Sequence, residues 1–270
     1  LGNNTHLTNL SFTLQNYNGI IEPLCRGLKN NNSIQSLSFS NLDLSECDIF
    51  QFMVPFFKNN NTLTKLKLDD CEMGADVCRS LSLALGGCKN ISLKRFALIN
   101  CGIGDEPLVG IILALSMHPQ LEILDLQGSG MGRNGCVALA TLVRWRTTKL
   151  HTLHLGDTGI DDEGVDHLTL ALANSRHLRM LNLSGNSSIT IRGWRALSAL
   201  LEAPSSNLQM LFLAHNGIGD EGVVAFAGAL SKNRALKKLS LYKNPSITAG
   251  GWAAFSKLLC DATSVNKTFL

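Results

Sequence analysis

Three groups of side chains in this sequence have types and spacings that chemistry uses. Residues 211–222, LFLAHNGIGDEG, place His215, Asn216, Asp220 and Glu221 among Gly217, Gly219 and Gly222. A histidine and two carboxylates on a glycine-rich turn suit a metal ion, a phosphate cradle or an acid–base loop. Cys71, Cys78, Cys88 and Cys101 suggest a zinc site. Asp125, His154 and Ser184 carry the three functional groups of a nucleophilic relay. Spacing already weighs against two of these. Close Cys-x-x-Cys pairs are absent from the sequence. Gly217, Gly219 and Gly222 have G-x-G-x-x-G spacing but do not follow a strand in the right register, and no Walker pattern does. The expectation is therefore no bound metal and no cofactor.

Bulk composition narrows the classes. At 270 residues the chain is long for one compact domain, and its 45% hydrophobic content suffices for a large core. A net charge of +3 is too small to indicate a nucleic-acid or membrane surface. No apolar run approaches the ~18 residues that a membrane-spanning helix needs. The start, LGNNTHLTNL, has neither an initiator Met nor a basic segment, and reads as a piece of a longer or processed polypeptide. Eight dispersed cysteines favour reduced, buried thiols in a reducing compartment, hence an intracellular, cytoplasmic protein. Eight Asn-x-Ser/Thr sequons, at Asn3, Asn9, Asn31, Asn60, Asn90, Asn182, Asn186 and Asn266, point instead to secretion. The chain is rich in Asn, Ser and Thr, so several of these arise by chance.

Self-similarity organises everything else. L-x-x-L-x-L or a close variant begins at residues 7, 34, 63, 93, 121, 150, 178, 208 and 236, with a partial copy, VNKTFL, at 265. From residue 34 onward the starts are 28 to 30 residues apart. A period of this size marks a solenoid, because one unit cannot bury its apolar face without neighbours. Each unit reads as a short strand with leucines inward, a turn, and a helix. Helical spacing is clear in Val223, Phe226, Ala227 and Leu230, in Leu108, Ile111, Ile112 and Leu115, and in Cys136, Leu139, Ala140 and Val143. Right-handed crossovers then stack parallel strands on one side and helices on the other. Helices are wider than strands, about 10 Å against about 4.8 Å, so the strands should line a concave face.

The unit L-x-x-L-x-L-x-x-N-x-I-x-D-E-G resembles a leucine-rich repeat of the ribonuclease-inhibitor-like subclass, as in NOD-like receptors and Ran GTPase-activating proteins. The resemblance implies one α/β right-handed horseshoe over residues 1–270, with about nine repeats. It also implies that Asn186, Asn216 and Asn244, at the ninth position of their units, form a ladder bonding the turn backbone of adjacent coils. Thr158, Ser129, Cys101, Cys71 and Leu42 occupy the same position in other units. Asp220-Glu221-Gly222 recurs as Asp162-Glu163-Gly164 and Asp105-Glu106-Pro107, at helix starts where acids complement the dipole and cap amides. Gly102, Gly159 and Gly217 follow the ladder position and suit a positive-φ turn. Trp194 and Trp252 stand at the first inward helix position, which predicts core packing; Trp145 has no clear assignment.

Removing this architecture leaves the outward strand positions. The candidate partner-binding residues are an apolar group, Met180, Met210, Phe212 and Tyr242; a basic group, Lys65, Lys67 and Arg95; and Asp125 with His154. Core packing cannot explain the apolar group, since strand alternation turns it away from the leucines. The reading is a non-enzymatic scaffold that binds a protein partner of unknown identity on the concave face. Its terminal coils would be covered by further chain or another subunit. Three alternatives stay open: a ligand-sensing or regulatory segment of a larger NOD-like or Ran-regulator protein, a structural subunit of a large assembly, and a hydrolase using Asp125 and His154.

Overall fold

The computed structural model describes residues 4–13, 21–45, 49–88, 92–144, 149–173, 175 and 177–260. Trp145, Cys47, the partial copy at 265 and the sequons at Asn3, Asn90 and Asn266 lie outside the described residues. The chain divides into two compact units, residues 1–130 with 147–150, and residues 131–146 with 151–270.

The first unit alternates β1 (Asn9–Thr13), α1 (Ile21–Gly27), β2 (Ser36–Ser40), α2 (Ile49–Asn59), β3 (Lys65–Asp69), α3 (Ala75–Gly86), β4 (Arg95–Ile99), α4 (Asp105–Leu115) and β5 (Ile123–Asp125). The second runs α5 (Arg133–Arg144), β6 (Thr152–His154), α6 (Asp162–Leu172), β7 (Met180–Asn182), α7 (Ile191–Glu202), β8 (Met210–Phe212), α8 (Asp220–Lys232), β9 (Lys238–Ser240) and α9 (Ala249–Cys260). Every strand begins two residues after the start of a sequence copy. In each unit, strand order is chain order and pairing is parallel, the arrangement of an α/β leucine-rich-repeat solenoid.

Register is set by leucine burial. Leu37, Leu66, Phe96 and Leu124 are successive partners in the first unit, and Leu153, Leu181, Leu211 and Leu239 in the second. Each coil from β2 to β8 sinks three such side chains; in β8 and its flanks these are Leu208, Leu211 and Leu213, all nearly inaccessible. A side chain of this kind contributes about 1.5–3 kcal/mol when fully buried. A one-residue slip would turn all three to solvent, so the outward positions are equally fixed. The three expected helical stripes are buried as read. The N-terminal coils are aromatic rather than leucine-rich. α2 buries Ile49, Phe50, Met53, Phe56 and Phe57 and keeps Pro55 on its exposed side. Phe12 stacks on Phe39 at 5.2 Å, and Phe50 meets Phe39 edge-on at 6.1 Å.

Candidate functional site

The glycine-rich turn around His215 is built by the repeat. Asn216 is buried; its side-chain NH2 donates to the Leu183 carbonyl at 3.0 Å, and its Oδ1 accepts the Asn186 amide at 2.6 Å. Asn244 repeats this one coil on, accepting from the amides of Asn216 and Ile218 and donating to Leu213 and Leu241. Asn186 does so one coil back, reaching Thr158, Ile160, Leu155 and Leu183. These amides satisfy backbone groups that the strand-to-turn bend would otherwise strand in the core. Gly102, Gly159 and Gly217 have φ of 63°, 75° and 66°, as the turn reading requires. The residue before each ladder position is left-handed too: Asn41, Asp70, Asn100, Gly128, Asp157, Gly185, His215 and Lys243. Asn, Asp and Gly tolerate that conformation; His215 and Lys243 replace them in the last two coils.

The carboxylates also serve architecture, although not as expected. Asp162 and Asp220 open their own helices but bond chiefly to the next coil. Asp162 accepts the Thr190 amide, the Thr190 hydroxyl and the Gly193 amide, at 2.8, 2.5 and 3.0 Å. Asp220 accepts the Thr248 amide and hydroxyl, both at 2.7 Å. Burial raises the Asp162 pKa, but the bonds from Thr190, Gly193 and Arg192 together outweigh it and hold the carboxyl below its ordinary value. Asp220 is lowered mainly by the Thr248 hydroxyl. A Cβ at Gly193 would lie 2.6 Å from Asp162 Oδ1, and one at Gly251 2.1 Å from Asp220 Oδ1, so these glycines admit the neighbouring acid. The cap on α6 itself is Asp161, which accepts the Gly164 amide.

A second ladder escaped the sequence reading. Three residues before the first leucine of their coils, Asn31, Asn60 and Asn233 are buried. Asn60 Oδ1 accepts the amides of Thr62 and Leu63 while its NH2 donates to the carbonyls of Asn31 and Ile34 in the previous coil. Asn233 does the same with Ala235, Leu236 and Leu201. His118 holds the slot in its coil, with Nε2 3.1 Å from the Leu85 carbonyl. The detectable signal was Asn-x-x-Leu, hidden at two positions inside a sequon.

The four cysteines of the candidate zinc site, Cys71, Cys78, Cys88 and Cys101, are buried. Cys71 and Cys101 occupy the first ladder, with sulfurs near the carbonyls of Phe39 and Ile99. Their thiols hydrogen-bond each other, which lowers the pKa of Cys71 and raises that of Cys101. Burial pushes Cys78 and Cys88 up to about 11, which disfavours the thiolate a metal needs. The relay residues divide between the two units. Asp125, in the first unit, accepts the Gln127 amide; Ser184 Oγ, in the second, accepts the Ala214 amide at 3.2 Å. His154 is half-buried at the end of β6, beside Asn182 in register.

The outward strand positions form two different surfaces. In the first unit Lys65 and Arg95 are exposed register partners, while Lys67 is paired with Asp69 at 2.7 Å. In the second, Met180 and Met210 are register partners, and Phe212 follows Met210 on the same side of β8. Lys238, the partner of Met210, sets its ammonium 5.1 Å from the Phe212 ring centroid. Tyr242 is 64% exposed, with Lys243 Nζ 5.3 Å from its ring centroid and the His215 ring edge-on at 6.0 Å. This is a Met–aromatic cluster dressed with cations, with Met180, Met210 and Phe212 half-buried and Tyr242 exposed. An adjoining cleft of about 880 Å³ is lined by His215, Tyr242, Trp252 and Phe255 among others. Trp252 corrects an expectation. Trp194 is buried against Phe226, but Trp252 is 44% exposed, because α9 packs on α8 alone among the described helices.

Comparison with known proteins agrees with this architecture. The Leucine Rich repeat family model matches residues 59–88, 147–168 and 205–227. The chain is 28% identical over 230 residues to the mouse (Mus musculus) NACHT, LRR and PYD domains-containing protein 14, covering 85% of this chain and 22% of that protein. The human (Homo sapiens) protein 13 of the same series gives 29% over 254 residues, with 93% and 24% covered. Mouse ribonuclease inhibitor is 27% identical over 253 residues, 93% of this chain and 52% of the inhibitor. The chain thus spans between about a fifth and a half of these relatives. The yeast Rad7–Elc1 complex contains a chain similar in fold, with a TM-score of 0.50 at 16% identity, covering 86% of this chain and 63% of that one.

Proposed function

We propose that this chain, which resembles leucine-rich-repeat proteins such as the ribonuclease inhibitor, is a non-catalytic binding module whose protein partner docks on the strand face of the second unit. One observation carries the reading. Met180, Met210, Phe212 and Tyr242 stand on the side of the sheet opposite the leucines, where the fold has no use for them. Grouped Met and aromatic side chains on a rigid surface are the usual anchors of protein recognition. Strands held by two side-chain ladders present them with little ordering cost on binding. Lys65 and Arg95 supply a second contact region on the first unit.

Similarity to part of the NACHT, LRR and PYD proteins favours a second reading, in which this is the sensing segment of a larger regulator. An intracellular setting suits both. The sequon residues Asn31, Asn60 and Asn186 are buried ladder amides with no room for a glycan. Affinity capture on the wild-type chain, with a Met210→Glu/Phe212→Glu double variant as control, tests the proposal. The variant should keep the wild-type thermal midpoint and lose the captured partner. Capture unaffected by the two substitutions would refute docking at this face.

A further inference from the structure

We infer that the partner segment docking on the second unit is an acidic polypeptide that also carries apolar side chains; this rests on the binding reading above and specifies it. The argument is one of charge segregation. The strand and turn segments of the second unit, residues 151–157, 178–185, 208–215 and 236–243, contain one acid, Asp157, and the three coils that carry the Met–aromatic cluster contain none. They contain Arg179, Lys237, Lys238 and Lys243, all exposed, and no ion pair involves any of the four among the described residues. The acids of this unit stand chiefly on its helices, where they already have cationic partners. Arg192 meets Asp162 and Asp166, Arg195 meets Glu221, Arg133 meets Glu163, and Lys232 meets Glu202. The first unit does not segregate charge in this way, since its strand face pairs Lys67 with Asp69 and Lys94 with Glu122.

The left-handed turn column gives a second, independent indication. Six coils fill it with Asn, Asp or Gly and one with His215, all of which suit positive φ, whereas the last coil, beside the aromatic cluster, uses Lys243. A lysine gains nothing there conformationally, and here it places an ammonium over Tyr242. Uncompensated cations around Met and aromatic side chains complement a segment that alternates carboxylates with Leu, Phe or Trp. A nucleic acid fits less well. Single-stranded bases need open ring faces, and Lys238 and Lys243 already cover one face of Phe212 and of Tyr242.

Panning a displayed random-peptide library against the whole 270-residue chain tests this directly, with synthetic copies of the enriched peptides and an oligothymidylate as probes. Enriched peptides should be rich in Asp and Glu interspersed with large apolar residues, and should bind more weakly as salt is raised. Lys238→Glu/Lys243→Glu should weaken them at least ~10-fold, and Lys238→Gln/Lys243→Gln less, at unchanged circular dichroism. Neutral or basic peptides that still depend on Met210 and Phe212 would overturn the acidic partner and leave the binding reading standing. Peptides indifferent to every one of these substitutions, or no enriched peptide at all, would overturn both. Oligothymidylate binding that depends on Phe212 and outcompetes the peptides would assign the face to nucleic acid instead.

Discussion

Replacing Asn216 with leucine takes one rung out of the first ladder at a position where a leucine side chain is already tolerated, as Leu42 shows in an N-terminal coil. Two bonds disappear: the Asn186 amide loses its acceptor at 2.6 Å, and the Leu183 carbonyl loses one donor at 3.0 Å while keeping the Asn186 side chain at 2.9 Å. Both groups belong to buried residues, so neither gains water in exchange. Leaving a buried polar group unpaired costs about 1–3 kcal/mol, and the Asn186 amide is the one group left so, which sets the expected loss. The Asn216 amide still donates to Asn244 Oδ1, so damage should concentrate in the turn one coil back. Denaturant unfolding followed by circular dichroism measures the global loss, and amide hydrogen exchange locates it at Asn186. An unchanged unfolding midpoint with unchanged protection at Asn186 would refute the ladder as a source of stability.

Three further outcomes follow from the same geometry. Ser129 sits in the ladder column with a buried hydroxyl that has no hydrogen-bond partner, the one such side-chain atom among the described residues. Ser129→Cys, the choice made at Cys71 and Cys101, should therefore leave the denaturation midpoint unchanged or raise it by up to about 1 kcal/mol; a clear loss would show a bond to that hydroxyl. Because the Asp162 carboxyl is held below its ordinary value, its contribution to stability is full above the unfolded aspartate pKa, near 3.8, and is lost as pH falls through the lower folded value. Unfolding midpoints of wild type and Asp162→Asn should accordingly differ at neutral pH and converge in acid. Phe212→Ser should leave the thermal midpoint within a few degrees of wild type, since the residue lies outside the leucine core; a collapse of the fold would place it inside.

The parts of this fold legible in the sequence are those that each coil specifies for itself. Leu208, Leu211 and Leu213 announce a strand by alternation, and Val223, Phe226, Ala227 and Leu230 announce a helix by spacing, without reference to any other coil. What stayed hidden depends on the neighbouring coil. Asn60 reads as a polar loop residue, or as a sequon, until the carbonyls of Asn31 and Ile34 are seen beside it. Asp162 reads as a cap for its own helix because sequence shows adjacency along the chain, whereas the amides it binds, Thr190 and Gly193, arrive from 28 and 31 residues away. Trp252 matches Trp194 in sequence position and differs only in what covers its helix.

The candidate site obeys the converse rule. A repeat imposes the same demand on every coil, so a column that satisfies it uniformly reports architecture, and a departure the fold does not need reports something else. The last coils depart twice. Met180, Met210 and Phe212 on β7 and β8, and Tyr242 after β9, stand at positions where the first two coils carry serine among other polar residues, and the turns after β8 and β9 carry His215 and Lys243 where others carry Asn, Asp or Gly. Neither departure improves packing, since Tyr242 remains largely exposed and Lys243 holds a left-handed φ of 52°. A substitution with a conformational cost and no gain in burial is retained by neither core packing nor backbone geometry. Contact with another molecule, as proposed above, would give such a rigid, cationic, apolar surface a physical use.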